Sequence, residues 1–220
     1  TLSDVDSKIF LAEPVYHNGT SLVASVPVAY FNIDVVGGTG TNSFTVRKHE
    51  GRDKGRNGWT VVGNSTYDLN IDFDNGSVNT CEVYGSSFDQ VSGTFGWGTN
   101  TAHKGYSLTF NNCGQFDAVG AVALRNITFS NYVGTDGALL WNASIDITGQ
   151  FINTDLGVEI TQTTTQTFNN LIFDDEVGNF DVHLNNGGTS ITVNKTGTSN
   201  PDSYTATGGG VVTFAATYTL

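Results

Sequence analysis

The feature that most constrains this chain is a set of short runs in which apolar and polar residues alternate, recurring at intervals of about ten residues. The last run is the clearest. After Gly208-Gly209-Gly210, the side chains of Val212, Phe214, Ala216, Tyr218 and Leu220 point one way, and those of Thr213, Ala215, Thr217 and Thr219 point the other. A period of two marks a strand with one buried face, and the glycines punctuate its entry. A long apolar strand is a poor candidate for an unprotected edge. Its far side is expected to be covered, either within this chain or by another chain.

Comparable runs span residues 21–36, interrupted by Pro27, then 43–46, 59–62, 66–73, 81–84, 94–97, 106–111, 119–129, 143–151, 157–167, 171–173, 180–184, 190–193 and 204–207. Asn75-Gly76 carries a two-residue hairpin signal. Thr, Asn, Gly and Ser are abundant and Lys is scarce, which suits strands joined by tight turns rather than long helices. Together these runs predict an all-β protein, a sandwich or barrel. No internal repeat and no linker dividing the chain into two domains stand out, and 220 residues suffice for one large domain.

Composition narrows the function classes. A net charge of −12 disfavours a nucleic-acid partner, because phosphate binding needs a basic face. There is no membrane-spanning run of about 18 apolar residues. The chain opens at Thr1 and contains no Met, which suggests a secreted product whose signal peptide has been removed. Cys81 and Cys113 could form one disulfide in an oxidising compartment, contributing roughly 3–4 kcal/mol, or remain two buried thiols. Asn-x-Ser/Thr sequons stand at Asn18, Asn64, Asn75, Asn126, Asn142 and Asn194, as possible glycosylation sites of an exported protein.

Other residues invite chemical readings. Arg47, Lys48, Arg52, Lys54 and Arg56 surround His49 and Glu50, which could bind an anionic sugar or act as base and acid, or simply form a solvated loop. His17, His103 and His183 are isolated in sequence and read as structural or exposed. Trp59, Trp97 and Trp141 could stack on a glycan, but core packing is the stronger expectation. Asp68, Asp72 and Asp74 share a strand face without the spacing of a calcium loop. Thr161, Thr163, Thr165 and Thr167 form a single polar row, short of a plane. No zinc-ligand spacing, nucleophile elbow or phosphate loop is present, so neither a metal nor a cofactor is expected, and the chain does not read as an enzyme.

From Tyr67 onward, the order of features resembles the pilin domain of chaperone–usher fimbriae. Tyr67 to Cys81 is similar to the first pilin strand running into its cysteine, and Tyr106 to Cys113 to the strand carrying the partner cysteine. Ala121-Val122-Ala123-Leu124, then Leu156-Gly157-Val158-Glu159-Ile160, then Val212 to Tyr218 with its penultimate tyrosine, follow in the same order. The likeness covers roughly two-thirds of the chain. About 65 residues precede it, where a pilin carries one short extension. Some archaeal surface filaments, N-glycosylated and independent of a chaperone, offer a second version of the same reading.

The resemblance implies an immunoglobulin-like antiparallel β-sandwich lacking one strand. Residues 1–13 would be a donor-strand extension, with Val5, Ser7, Ile9 and Leu11 as donor residues, or else an ordinary edge strand within the chain. Residues 14–220 would form one domain, with 14–65 as extra strands or an insertion. Val212, Phe214, Ala216 and Tyr218 would line the acceptor groove, each donor side chain contributing about 1–3 kcal/mol on full burial. A rival donor, Leu22 to Tyr30, contains Pro27, which lacks an N–H. The implied function is that of a subunit of an extracellular filament. It would polymerise head-to-tail with identical copies for surface adhesion, with a periplasmic chaperone and usher as further partners. A secreted carbohydrate-binding or adhesin domain is the alternative.

Overall fold

The computed structural model describes residues 85–91, 104–118, 123–141, 146–174 and 179–217 in full. It describes the backbone of 15–18, 21–24, 30–34, 43–46, 60–62, 68–72, 80–84, 95–96, 103 and 121–122. The strands are there, as the alternation predicts, but their pairing is parallel. The chain winds into a parallel β-solenoid of about five turns with three parallel sheets.

The largest sheet is centred on the long strand Ala121–Ser130. His103–Tyr106 pairs with its first half and Thr109–Asn111 with its second, while Asp146–Ile152 runs along its other edge. The second sheet stacks Phe95–Gly96, Phe116–Asp117, Leu139–Leu140, Leu156–Ile160, Phe180–Leu184 and Tyr204–Ala206 in order. The third consists of Gln166–Asn169, Ile191–Thr196 and Val212–Ala216. Side-chain hydrogen bonds between neighbouring coils join residues 19 to 28 apart in sequence. That separation is one lap of the solenoid.

What turns the chain at each lap is asparagine chemistry. Gln90, Asn112, Asn131 and Asn153 have φ of 54°, 48°, 55° and 51°, and occupy the same bend in successive coils. Each donates its backbone N–H to the coil above: to the carbonyls of Asn111, Ser130, Ile152 and Asp174. A second bend repeats Gly85, Ser107 and Asn126, again left-handed. This conformation costs an ordinary residue about 1–2 kcal/mol, and asparagine tolerates it best after glycine. The asparagines also bond to one another. Asn131 Nδ2 donates to Asn111 Oδ1 at 2.8 Å, and Asn153 Nδ2 donates to Asn131 Oδ1 at 3.0 Å.

The interior is a column of aromatic rings. Phe88, Phe110, Phe129, Phe151 and Phe173 each occupy the middle of a polar–Phe–polar or mixed triplet, and their centroids are 5.3, 4.7, 5.1 and 4.8 Å apart. Interplanar angles of 10°, 13°, 7° and 6° make the stack nearly parallel. Strand spacing in a sheet is about 4.8 Å, so in-register parallel strands bring identical side chains to stacking distance. Phe116, Leu139, Val158 and Val182 form a second buried column on the facing sheet.

These observations correct the pilin reading. An immunoglobulin-like sandwich requires antiparallel sheets, whereas among the described strands only Val15–Asn18 and Ser21–Ala24 pair antiparallel. The segment Tyr106 to Cys113 is broken at Ser107 into two strands on either side of a bend. The expected strand 157–167 likewise divides between two sheets, as Leu156–Ile160 and Gln166–Asn169. The rival donor run divides too, and its Ser21–Ala24 part pairs within the chain. There is a repeat after all, carried by the Phe and Asn positions.

The expected disulfide is absent as well. Cys113 is a free, buried thiol that donates to the carbonyls of Phe88 and Asn111, both at 3.4 Å. Its place is in the bend after Asn112, whereas Cys81 lies on the strand Thr80–Tyr84, before the preceding bend.

Candidate functional site

Among the described residues, the sequence-predicted ones do not converge. Val5, Ser7, Ile9, Leu11 and Tyr218 lie outside the described residues, as do His49, Glu50 and their basic neighbours, Trp59, Trp97 and the Asn75-Gly76 turn. Of the acceptor set, Val212 is buried, Phe214 is partly buried and Ala216 is exposed, all on a strand paired in parallel with Ile191–Thr196. Trp141 is core. Its indole Nε1 donates to Gln166 Oε1 at 2.9 Å and its ring packs on Phe168. Among the sequons, Asn126 is exposed at a bend, its Nδ2 donating to Ser107 Oγ, and Asn194 is half-buried on its strand. Asn18 ends a strand, while Asn64, Asn75 and Asn142 lie outside the described residues.

A different group does converge. On the second sheet, Leu140, Glu159, His183 and Thr205 occupy one rung, each beside the next. Their neighbours Val158, Ile160, Val182 and Leu184 belong to the hydrophobic core. By strand alternation, Glu159 and His183 therefore lie on the opposite side of the sheet. They are buried there nonetheless, at 6% and 7% exposure.

Glu159 Oε2 accepts from Gln115 Nε2 at 2.5 Å, and Oε1 accepts from Asn185 Nδ2 at 2.8 Å. Gln115 also donates to the Gly137 carbonyl at 2.9 Å, tying the loop before Leu139 to the same amide. That loop brings Asp136 in from the preceding coil. One ligand atom each from Asp136, Glu159 and His183 lies within 4.8 Å of the others. His183 Nε2 is 3.1 Å from Thr207 Oγ1, whereas Nδ1 is buried and has no hydrogen-bond partner.

The backbone enforces this approach. A Cβ placed on Gly137 would fall 2.1 Å from the Glu159 nitrogen, so only glycine lets the loop come so close. Tyr132, buried at the start of the same loop, reports the local charge. Burial pushes its phenol up to about 12, and the carboxylates of Asp136, Glu159 and Asp155 reinforce the rise.

Chemically, the group offers two carboxylates and one imidazole converging from three consecutive coils. Sequence reading missed it because its members are one lap apart rather than at motif spacing. His183, read as isolated, has Glu159 beside it on the preceding coil and Thr207 on the following one. No family model matches the chain, and no curated protein or solved structure is similar enough to match it.

Proposed function

We propose that the chain is a structural component of an extracellular surface assembly: a rigid β-solenoid segment that acts as a spacer or adhesive element rather than as an enzyme. The supporting observation is the uninterrupted five-ring phenylalanine stack with its asparagine bends. It joins each coil to the next along one axis, the construction expected of a stiff element. The net charge of −12 fits a dispersed, exported protein. Donor-strand exchange is not part of this reading, because its acceptor groove belonged to the sandwich. The partners are further copies of the chain or other components of the same surface layer. Antibody labelling of intact cells of the source organism tests it. Surface labelling, with loss of the layer or of adhesion on deletion, is expected; a wholly intracellular protein would overturn it.

A specific groove favours carbohydrate recognition as a second reading. It has a volume of about 640 Å³ and is lined by Thr163, Thr164, Thr165, Ser190, Ile191, Thr192 and Thr213, all but one of them hydroxyl-bearing. Thr192 and Thr213 are partners on neighbouring parallel strands, and hydroxyls so placed can exchange hydrogen bonds with a saccharide's own hydroxyls. A glycan array decides this reading. A hit weakened by Thr165→Ala and Thr192→Ala supports it, and a blank array removes it.

A further inference from the structure

We propose that Asp136, Glu159 and His183 form a binding site for a divalent first-row transition-metal ion, for which Zn²⁺ is the natural probe. This goes beyond the surface-assembly reading and does not depend on it. Glu159 is buried, and the hydrogen bonds it receives come from the neutral amides of Gln115 and Asn185. Buried charges are normally paired or bound to metal, because leaving them uncompensated is costly. Each carboxylate oxygen still has a lone pair free after accepting its amide proton.

His183 supplies an independent indication. In the tautomer that donates from Nε2 to Thr207 Oγ1, the Nδ1 lone pair is bare, in a residue only 7% exposed. A buried nitrogen left without a partner calls for an explanation. Metal-binding histidines characteristically donate their second N–H to an oxygen that fixes the ring, and in this tautomer Thr207 Oγ1 is that oxygen.

The donor set then selects the ion. Calcium and magnesium favour all-oxygen shells, whereas a mixed carboxylate–imidazole set suits zinc and its neighbours. Ligand bonds of about 2.0–2.2 Å place tetrahedral donors roughly 3.4 Å apart, so a group within 4.8 Å need close by at most about 1.4 Å. Asp136 is exposed, so the fourth position opens to water. The bound ion would link three successive coils.

The test uses the full chain, stripped with chelator and titrated with Zn²⁺, Mn²⁺ and Ca²⁺ by calorimetry, with Co²⁺ absorption as a spectroscopic check. One Zn²⁺ per chain, preferred over Ca²⁺, with a rise in Tm as Zn²⁺ is added, is expected. Glu159→Gln and His183→Ala should each weaken binding by more than tenfold, and Thr207→Val by about 10–100-fold through loss of ring orientation. Should the buried variants not fold, exposed Asp136→Asn gives the same reading with the core untouched. Absence of Zn²⁺ binding to the wild-type chain overturns the proposal. Binding unchanged in both His183→Ala and Asp136→Asn does so too, by placing the ion on other histidines.

Discussion

At the scale of single residues, the bends and the buried thiol carry the most information. Asn131 combines a left-handed backbone with hydrogen bonds to Asn111 and Asn153. Asn131→Ala should therefore cost about 1–2 kcal/mol, and Asn131→Gly less, because glycine keeps the backbone conformation and loses only the side-chain bonds. Urea denaturation of the two variants separates the contributions; equal losses would mean that the backbone conformation contributes nothing. Cys113 makes a different prediction. Burial, reinforced by Asp89, pushes its thiol from 9.0 to about 12. The unfolded chain thus loses this proton near pH 9 while the folded chain keeps it. The contribution to stability is complete below pH 9 and falls away as pH rises towards 12. Cys113→Ala should flatten that part of the stability profile. A thiol reagent at neutral pH should leave Cys113 unmodified until the protein is denatured.

At the scale of the element, the solenoid depends on the phenylalanine column. Phe129 is 4% exposed and stacks on Phe110 and Phe151 together. Removing it opens a cavity between two coils, so Phe129→Ala should cost about 3–5 kcal/mol, with Phe129→Leu smaller because part of the volume is kept. A loss below about 1 kcal/mol in urea would show that the stack is not what holds adjacent coils together. The strands themselves were legible in sequence: the expected runs 119–129, 180–184 and 190–193 fall on Ala121–Ser130, Phe180–Leu184 and Ile191–Thr196. Their interruptions were not. Ser107 and Asn126 sit within runs that look continuous, and only the positive φ they adopt reveals the bends.

At the scale of the whole molecule, coils stabilise one another through nearest neighbours. Strands paired on both edges should resist hydrogen exchange longest. Leu156–Ile160 lies between Leu139–Leu140 and Phe180–Leu184. Among the described residues, Val212–Ala216 pairs along one edge only, with Ile191–Thr196. Exchange followed by mass spectrometry should show Leu156–Ile160 protected well beyond Val212–Ala216. Equal protection would mean that the solenoid opens as a single unit.

The sequence alone determined that the chain is β-rich and where many of its strands lie. Alternation reports a strand with one covered face, and that information is local. Only the tertiary structure decided the direction of pairing. Parallel sheets buried on both faces lose their alternation, but a solenoid keeps one face in and one face out, so its parallel strands read like those of an antiparallel sandwich. The candidate metal site was hidden for the same reason. Asp136, Glu159 and His183 are strangers in sequence, and they meet because successive laps set His183 beside Glu159 and bring the loop holding Asp136 against them.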